Sequence, residues 1–289
     1  MKILVTGKNG QLGRELQRLC PVEYELIGLS REELDITDRS TVESVVEKYR
    51  PNLIINAAAY TAVDKAEKEQ DLAFSVNAIG ASNLAEVCKR LSIRLIHIST
   101  DFVFDGKKSS PYLVTNKLNP LGVYGASKAE AEVAVQNVLP EAVIVRTAWV
   151  YSAHGNNFVS TMLRLMSDRK ILGVVADQIG TPTWTGTLAK VLFILAEQNS
   201  VKGIFHCTDL GVASWYDFAV AIFEESKKFG LIPSDKELSI DAIRTEDYPT
   251  PAERPAYSVL DKSRLINELE VELPHWRESL RQALSLKSQ

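Results

Sequence analysis

Through the first half of the chain, short apolar runs recur at 2–6, 25–28, 53–56, 95–99 and 142–147, each bounded by glycine, asparagine, proline or hydroxyl residues. They are rich in Leu, Ile and Val and do not alternate with polar residues, which predicts strands covered on both faces. The intervening stretches 11–19, 40–49, 71–91 and 127–136 carry helical spacing instead. Leu84, Val87, Cys88 and Leu91, for example, fall at i, i+3, i+4 and i+7 on one face. Strand and helix alternating in this way predict repeated βαβ units, hence an α/β protein with a Rossmann-like doubly wound parallel sheet. After about residue 150 the pattern loosens into helices near 158–168, 186–198 and 215–229 and a short strand at 203–207. This half is expected to form a smaller mixed α/β domain. The expected division is 1–150 for the sheet, with 184–208 contributing to it, and 151–289 for the second unit. The stretch 245–255 contains Pro249, Pro251 and Pro255. It cannot be regular helix and is expected to wrap over a surface or cleft.

Composition narrows the function. Of 289 residues, 45% are hydrophobic and 24% charged, and 33 Lys+Arg against 37 Asp+Glu leave a formal charge of −4. That balance argues against a nucleic-acid or anionic-membrane surface, so any anion must be held by a local site. Three cysteines without a C-x-x-C pair point to neither a disulfide framework nor a zinc ribbon. The N-terminal apolar run is too short for a signal-peptide core, and no stretch reaches about 18 apolar residues. A soluble, cytoplasmic protein, monomer or homodimer, is expected.

The first strand runs into Thr6-Gly7-Lys8-Asn9-Gly10-Gln11-Leu12-Gly13, a T-G-x-x-G-x-x-G turn that opens a helix. Gly7 and Gly10 allow a tight turn and close approach to a pyrophosphate, Gly13 allows the helix to pack on the sheet, and the helix N-terminus offers free N–H groups. The second strand is followed by Ser30-Arg31 rather than an acid, which suits a 2′-phosphate and favours NADPH. Glu32 and Glu33 follow closely, and NADH remains possible. Asp35 and Ile36 are placed to meet the adenine. Ala57, Ala58 and Ala59 leave room for the cofactor at the edge of the sheet.

Tyr124 and Lys128 stand at i, i+4, on one face of a predicted helix. They lie downstream of His97-Ile98-Ser99-Thr100-Asp101, a strand ending in two hydroxyl residues. This set fits carbonyl reduction: a tyrosine donates a proton to a developing alkoxide, a neighbouring ammonium lowers its pKa, and Thr100 hydrogen-bonds the carbonyl oxygen.

With these motifs in hand, the chain resembles the extended short-chain dehydrogenase/reductases, and within them the dTDP-4-dehydrorhamnose reductases. The resemblance rests on the glycine turn, the block Asn56 to Glu67, Ser99-Thr100-Asp101-Phe102-Val103-Phe104, Tyr124-Gly125-x-x-Lys128, Arg146-Thr147-Ala148-Trp149-Val150-Tyr151, Gly155-Asn156-Asn157-Phe158, Asp177-Gln178-x-Gly180-x-Pro182-Thr183, Trp215-Tyr216-Asp217-Phe218 and Arg254-Pro255. It implies reduction of the 4-keto group of dTDP-4-dehydro-6-deoxy-L-mannose to dTDP-L-rhamnose, with Thr100, Tyr124 and Lys128 as the catalytic set. It places Gly7, Asn9, Gly10, Gln11, Leu12, Gly13, Tyr60, Asn77 and Ser99 with the cofactor, and Val63, Asp64, Asp101, Trp149, Asn157 and Arg254 with the sugar nucleotide.

Departures from the family pattern are few. Phe102 stands where a tyrosine is commoner. Glu15 matches a ligand of a metal-bridged dimer in some members, but Gly186 stands where a second acid is expected, and no metal is expected here. His97, His154, His206 and His275 are scattered and read as structural.

Three alternatives use the same scaffold. A sugar-nucleotide dehydratase would need a base where Phe102 stands. An epimerase retaining NAD fits Ser30-Arg31 poorly. A non-catalytic subunit, as in methionine adenosyltransferase, would have no need of the intact catalytic set.

Overall fold

The computed structural model describes residues 1–288; Gln289, the last residue of the second expected unit, lies outside them. A six-stranded sheet is built from β1 (Lys2–Thr6), β2 (Glu25–Leu29), β3 (Leu53–Asn56), β4 (Arg94–Thr100), β5 (Val143–Thr147) and β6 (Gly203–His206), in the order β6-β5-β4-β3-β1-β2. Every pairing in it is parallel. The chain moves outward from β1 to β2 and then crosses back over β1 to β3. This reversal opens a crevice at the carboxyl ends of β1 and β3, the position where open α/β sheets bind ligands.

Both faces of the sheet are buried, as the unbroken apolar runs require. One is covered by α1 (Gln11–Leu19) and α6 (Thr185–Glu197), with Ile3, Val5, Leu16, Leu188 and Leu192 in the shared core. The other is covered by α2 (Arg39–Tyr49), α3 (Gly80–Leu91) and α4 (Val123–Val138), around Leu4, Val42, Leu84, Ala131 and Val135. The segment that supplies α6 and β6 leaves the second half of the chain and completes the sheet beside β5.

A separate core lies around α5 (Phe158–Asp168), α7 (Trp215–Lys228) and α8 (Trp276–Lys287), with Met166, Phe218, Ile222 and Leu280 at its centre. The parallel strands Ile171–Val175 and Ser239–Ile243 pack against it. Among the described residues, no helix is long and apolar enough to cross a membrane.

Two elements differ from the periodicity. The helix expected at 71–91 is interrupted by a π-turn at Ser75–Ile79, between Gln70–Phe74 and α3. That wider turn presents Asn77 to the backbone of Tyr60 and to Ser127, a common use of π-bulges near functional sites. The helix expected from residue 127 begins at Val123 instead. Glu67 Oε1 accepts from Val123 N at 2.9 Å, and this cap comes from 56 residues away.

Candidate active site

The glycine turn sits where β1 meets α1. Gly7 has φ +71°, and a Cβ there would stand 2.9 Å from Ala57 O and Ala58 N. At Gly13 a Cβ would meet Gly7 O at 2.3 Å, so that glycine serves the close packing of α1 on the turn. The emptied space continues into a cavity of about 350 Å³ that includes Gly7, Asn9, Gly10, Ser30, Arg31 and Ile36 in its walls. Asp35, Ala57, Ala58, Ala59 and Tyr60 also line it. The glycine turn and Arg31 both stand in its walls, and these residues could hold a dinucleotide. Arg31 is solvent-facing, its Nε 3.8 Å from Asp35 Oδ2. Lys8 pairs with Glu33 at 2.5 Å, and Glu33 also accepts from Ser30 N, so the acid that follows the second strand is occupied by its own neighbours.

Gly10 and Ala57 to Ala59 are shared with a second cleft of about 590 Å³. Its walls carry Gln11, Leu12, Ser99, Thr100, Asp101, Tyr124 and Lys128 on the sheet side, and Trp149 and Asn156 on the other. Thr100 and Asp101 follow directly from β4, while Tyr124 and Lys128 lie one turn apart on α4. Phe102 meets the Tyr124 ring edge-on, with centroids 5.6 Å apart, so the residue that replaces the commoner tyrosine buttresses the phenol.

The electrostatics separate the two members of the Tyr–x–x–x–Lys pair. Desolvation by the cleft walls pushes the Tyr124 phenol up to about 12, Asp101 adding to the rise and the Thr100 hydroxyl opposing it. Burial brings Lys128 down to about 8, against the favourable charge of Glu132. In this arrangement desolvation of the phenol outweighs any lowering of its pKa by Lys128. Its Nζ is turned back to donate to Ile98 O at 2.6 Å and lies 3.2 Å from His97 Nε2. Tyr124 is thus a protonated phenol at neutral pH, the state a proton donor needs. Asp101 is raised to about 6 by burial; Thr100 Oγ1 donates to its Oδ1 at 3.0 Å, and its Oδ2 has no partner among the described residues.

Other sequence candidates occupy different places. Val63 lines the cleft. Asp64 and Arg254 pair with each other at 2.9 Å, and Ala252 N donates to the same carboxylate, so they tie the proline-rich strap to the short helix Val63–Ala66. Asn157 caps α5, accepting from Ser160 N, and donates to Gln11 Oε1 at 2.9 Å; its neighbour Asn156 is the one in the cleft wall. Asn77 lies behind the cofactor cavity and holds the Tyr60 backbone. Trp149 has φ +47° and stacks on Trp215 with centroids 3.6 Å apart, a strained backbone held by aromatic packing. Thr61, Thr147 and Asn156, which stand within the quoted motifs but were given no site role there, also line the cleft.

A parallel sheet with a glycine turn at its switch point, and a tyrosine and lysine on a helix beside it, defines an extended short-chain dehydrogenase/reductase. Comparison with known proteins narrows this class. The model of the RmlD substrate binding domain family matches residues 1–288. The dTDP-4-dehydrorhamnose reductase of Aggregatibacter actinomycetemcomitans is 46% identical over 287 residues, covering 97% of each chain. Among solved structures, a dTDP-4-dehydrorhamnose reductase from Clostridium acetobutylicum superposes with TM-score 0.93 at 42% identity over 100% of both chains. That of Bacillus anthracis, solved in complex with NADP, gives 0.92 at 39% over 98% of both. The chain belongs to the dTDP-4-dehydrorhamnose reductase family.

Proposed function

We propose that the protein reduces the 4-keto group of dTDP-4-dehydro-6-deoxy-L-mannose to give dTDP-L-rhamnose, with NADPH preferred and NADH accepted. The observation that carries this reading is the meeting of Thr100 and protonated Tyr124 in one cleft, continuous with the dinucleotide cavity, in a chain matched end to end by reductases of that name. The complex of the Bacillus anthracis relative with NADP supports the cofactor assignment. Gly7, Gly10 and the N-terminus of α1 would hold the pyrophosphate, and Ser30, Arg31, Asp35 and Ile36 the adenosine end. The bound dinucleotide supplies a hydride for sugar carbon 4; the remaining work falls to the protein. Tyr124 Oη transfers its proton to the carbonyl oxygen as negative charge develops there, because an alkoxide is a far stronger base than a phenolate. Thr100, its hydroxyl rotated away from Asp101 Oδ1, donates a hydrogen bond to the same oxygen. Lys128 holds positive charge beside the site and stabilises the phenolate left behind. Trp149, fixed against Trp215, offers a flat apolar wall to the deoxysugar.

The reading is tested with the full-length protein, following loss of the reduced nicotinamide absorbance with dTDP- and UDP-linked 4-keto-6-deoxy sugars under both cofactors. Turnover of the dTDP sugar to the L-rhamno product is expected, and no turnover with any of these sugars would refute it. Arg31→Ala is expected to raise KM for NADPH by roughly 3- to 10-fold, as fits loss of one exposed charge-assisted contact, and to leave KM for NADH nearly unchanged. Equal effects on the two cofactors would remove Arg31 from the 2′-phosphate site.

A further inference from the structure

Behind Lys128 lies a line of buried polar side chains that no step above uses. It crosses three adjacent strands: His97 in β4, Asn56 at the end of β3 and Thr6 at the end of β1, all at most 1% exposed. Lys128 Nζ is 3.2 Å from His97 Nε2, and His97 Nδ1 is 3.0 Å from the Asn56 amide nitrogen. The other end of that amide is 2.7 Å from Thr6 Oγ1, which also accepts from Ala58 N in the loop that lines the cofactor cavity.

We propose that His97 is a positioning residue for Lys128, and that His97, Asn56 and Thr6 form a hydrogen-bond line whose direction reverses with the charge on Lys128. The inference uses the reductase reading only for the role of Lys128. An ammonium has three donors and no acceptor. Ile98 O takes one, His97 Nε2 takes a second, and one remains for the cleft that Lys128 lines. To accept at Nε2 the neutral ring must carry its proton on Nδ1; the Asn56 amide then turns over from the orientation in which its nitrogen faces Nδ1, so that its oxygen accepts from Nδ1 and its nitrogen donates to Thr6 Oγ1. With Lys128 neutral the order inverts. Thr6 then donates to the amide oxygen, the amide nitrogen donates to Nδ1, and Nε2–H donates to Nζ. Imidazole suits this position because its donor and acceptor nitrogens exchange by tautomerism, and a turn of the Asn56 amide, which exchanges its oxygen and nitrogen, completes the reversal. The ring stays neutral throughout, since burial and the neighbouring ammonium hold His97 well below its ordinary value.

The other ionisable groups around Lys128 are Glu132 on α4, paired with Arg146 of β5, Tyr124 one turn earlier, and Asp101 after β4. Glu132 favours the ammonium and burial disfavours it, so the acceptor at His97 adds to the side of the charged form. Removing that acceptor makes Lys128 lose its proton at lower pH.

The test compares His97→Leu, which removes both nitrogens, with His97→Gln, whose amide reaches the place of Nε2. Leucine is expected to move the alkaline limb of the kcat profile down by about one pH unit, which from a Lys128 value of about 8 lowers kcat at pH 7 by about twofold. Glutamine should bring the limb back toward wild type. Competitive acetylation of Lys128, read by peptide mass spectrometry across pH, should show the same downward shift without any need for turnover. If the leucine variant does not fold, His97→Asn, which reaches Asn56 but not Lys128, replaces it. Lowered melting temperature with profiles and labelling curves that coincide with wild type would reduce His97 to packing and overturn the proposal. A shifted labelling curve in the leucine variant, alongside a wild-type protein that turns over no sugar, would refute the reductase reading and uphold the proposal.

Discussion

Tyr124→Phe is expected to lower kcat by about 10³-fold, within the range a positioned general acid contributes, while leaving NADPH affinity within about twofold. The phenol oxygen is removed and the ring remains, still packed edge-on against Phe102, so the cleft keeps its shape. Steady-state NADPH oxidation and quenching of protein fluorescence by NADPH separate the two effects. No neighbouring group takes over easily. Thr100 is a far weaker acid than a phenol, and Asp101, raised only to about 6, is mostly ionised at pH 7. If the variant kept more than a tenth of the activity, the proton would have another source.

Arg146→Leu is the largest expected effect on stability. Arg146 Nε and Nη2 donate to Glu132 Oε1 and Oε2 at 2.8 and 2.6 Å, and both residues are 1% exposed. Ser99 donates to the same carboxylate, and Arg146 Nη1 lies 3.3 Å from His206 Nε2. Losing the guanidinium strands a buried carboxylate, which costs about 3–5 kcal/mol, on the order of 10 °C in melting temperature for a chain of this size. Because Glu132 shares α4 with Tyr124 and Lys128, and Ser99 precedes Thr100, kcat should fall as well. Adding Glu132→Leu to Arg146→Leu should recover much of the lost stability, since the stranded charge is then gone. Urea denaturation of the two variants checks this. A double variant no more stable than Arg146→Leu alone would show that lost packing, rather than the unpaired carboxylate, dominates.

The parts of the site that could be read in advance are those whose geometry is local. The glycine turn follows a strand and opens a helix within eight residues, and Tyr124 and Lys128 share a face because helical pitch puts i and i+4 together. Asn157 shows the limit even at short range. Both it and Asn156 lie in the same motif, but the N-cap of α5 uses the side chain of Asn157, and Asn156 is left to line the cleft. Asp64 and Arg254 were each assigned to the sugar nucleotide from the resemblance alone. Their ion pair was not legible, because 190 residues separate them.

From the residue pattern alone followed a parallel sheet buried on both faces, a nucleotide turn after its first strand, and a tyrosine–lysine pair on one helix face, since each depends on backbone periods of two or 3.6 residues. The strand order followed from packing, and with it everything that lies side by side across the sheet. That order puts β1, β3 and β4 next to one another, so Thr6, Asn56 and His97 form a line ending at Lys128. It also brings α6 and β6 from the second half back to β5. The charges of Tyr124, Lys128 and Asp101 were decided at the same level. Side-chain type sets an ordinary pKa, but desolvation and the neighbours supplied by distant segments move it, and neither exists until the chain has folded.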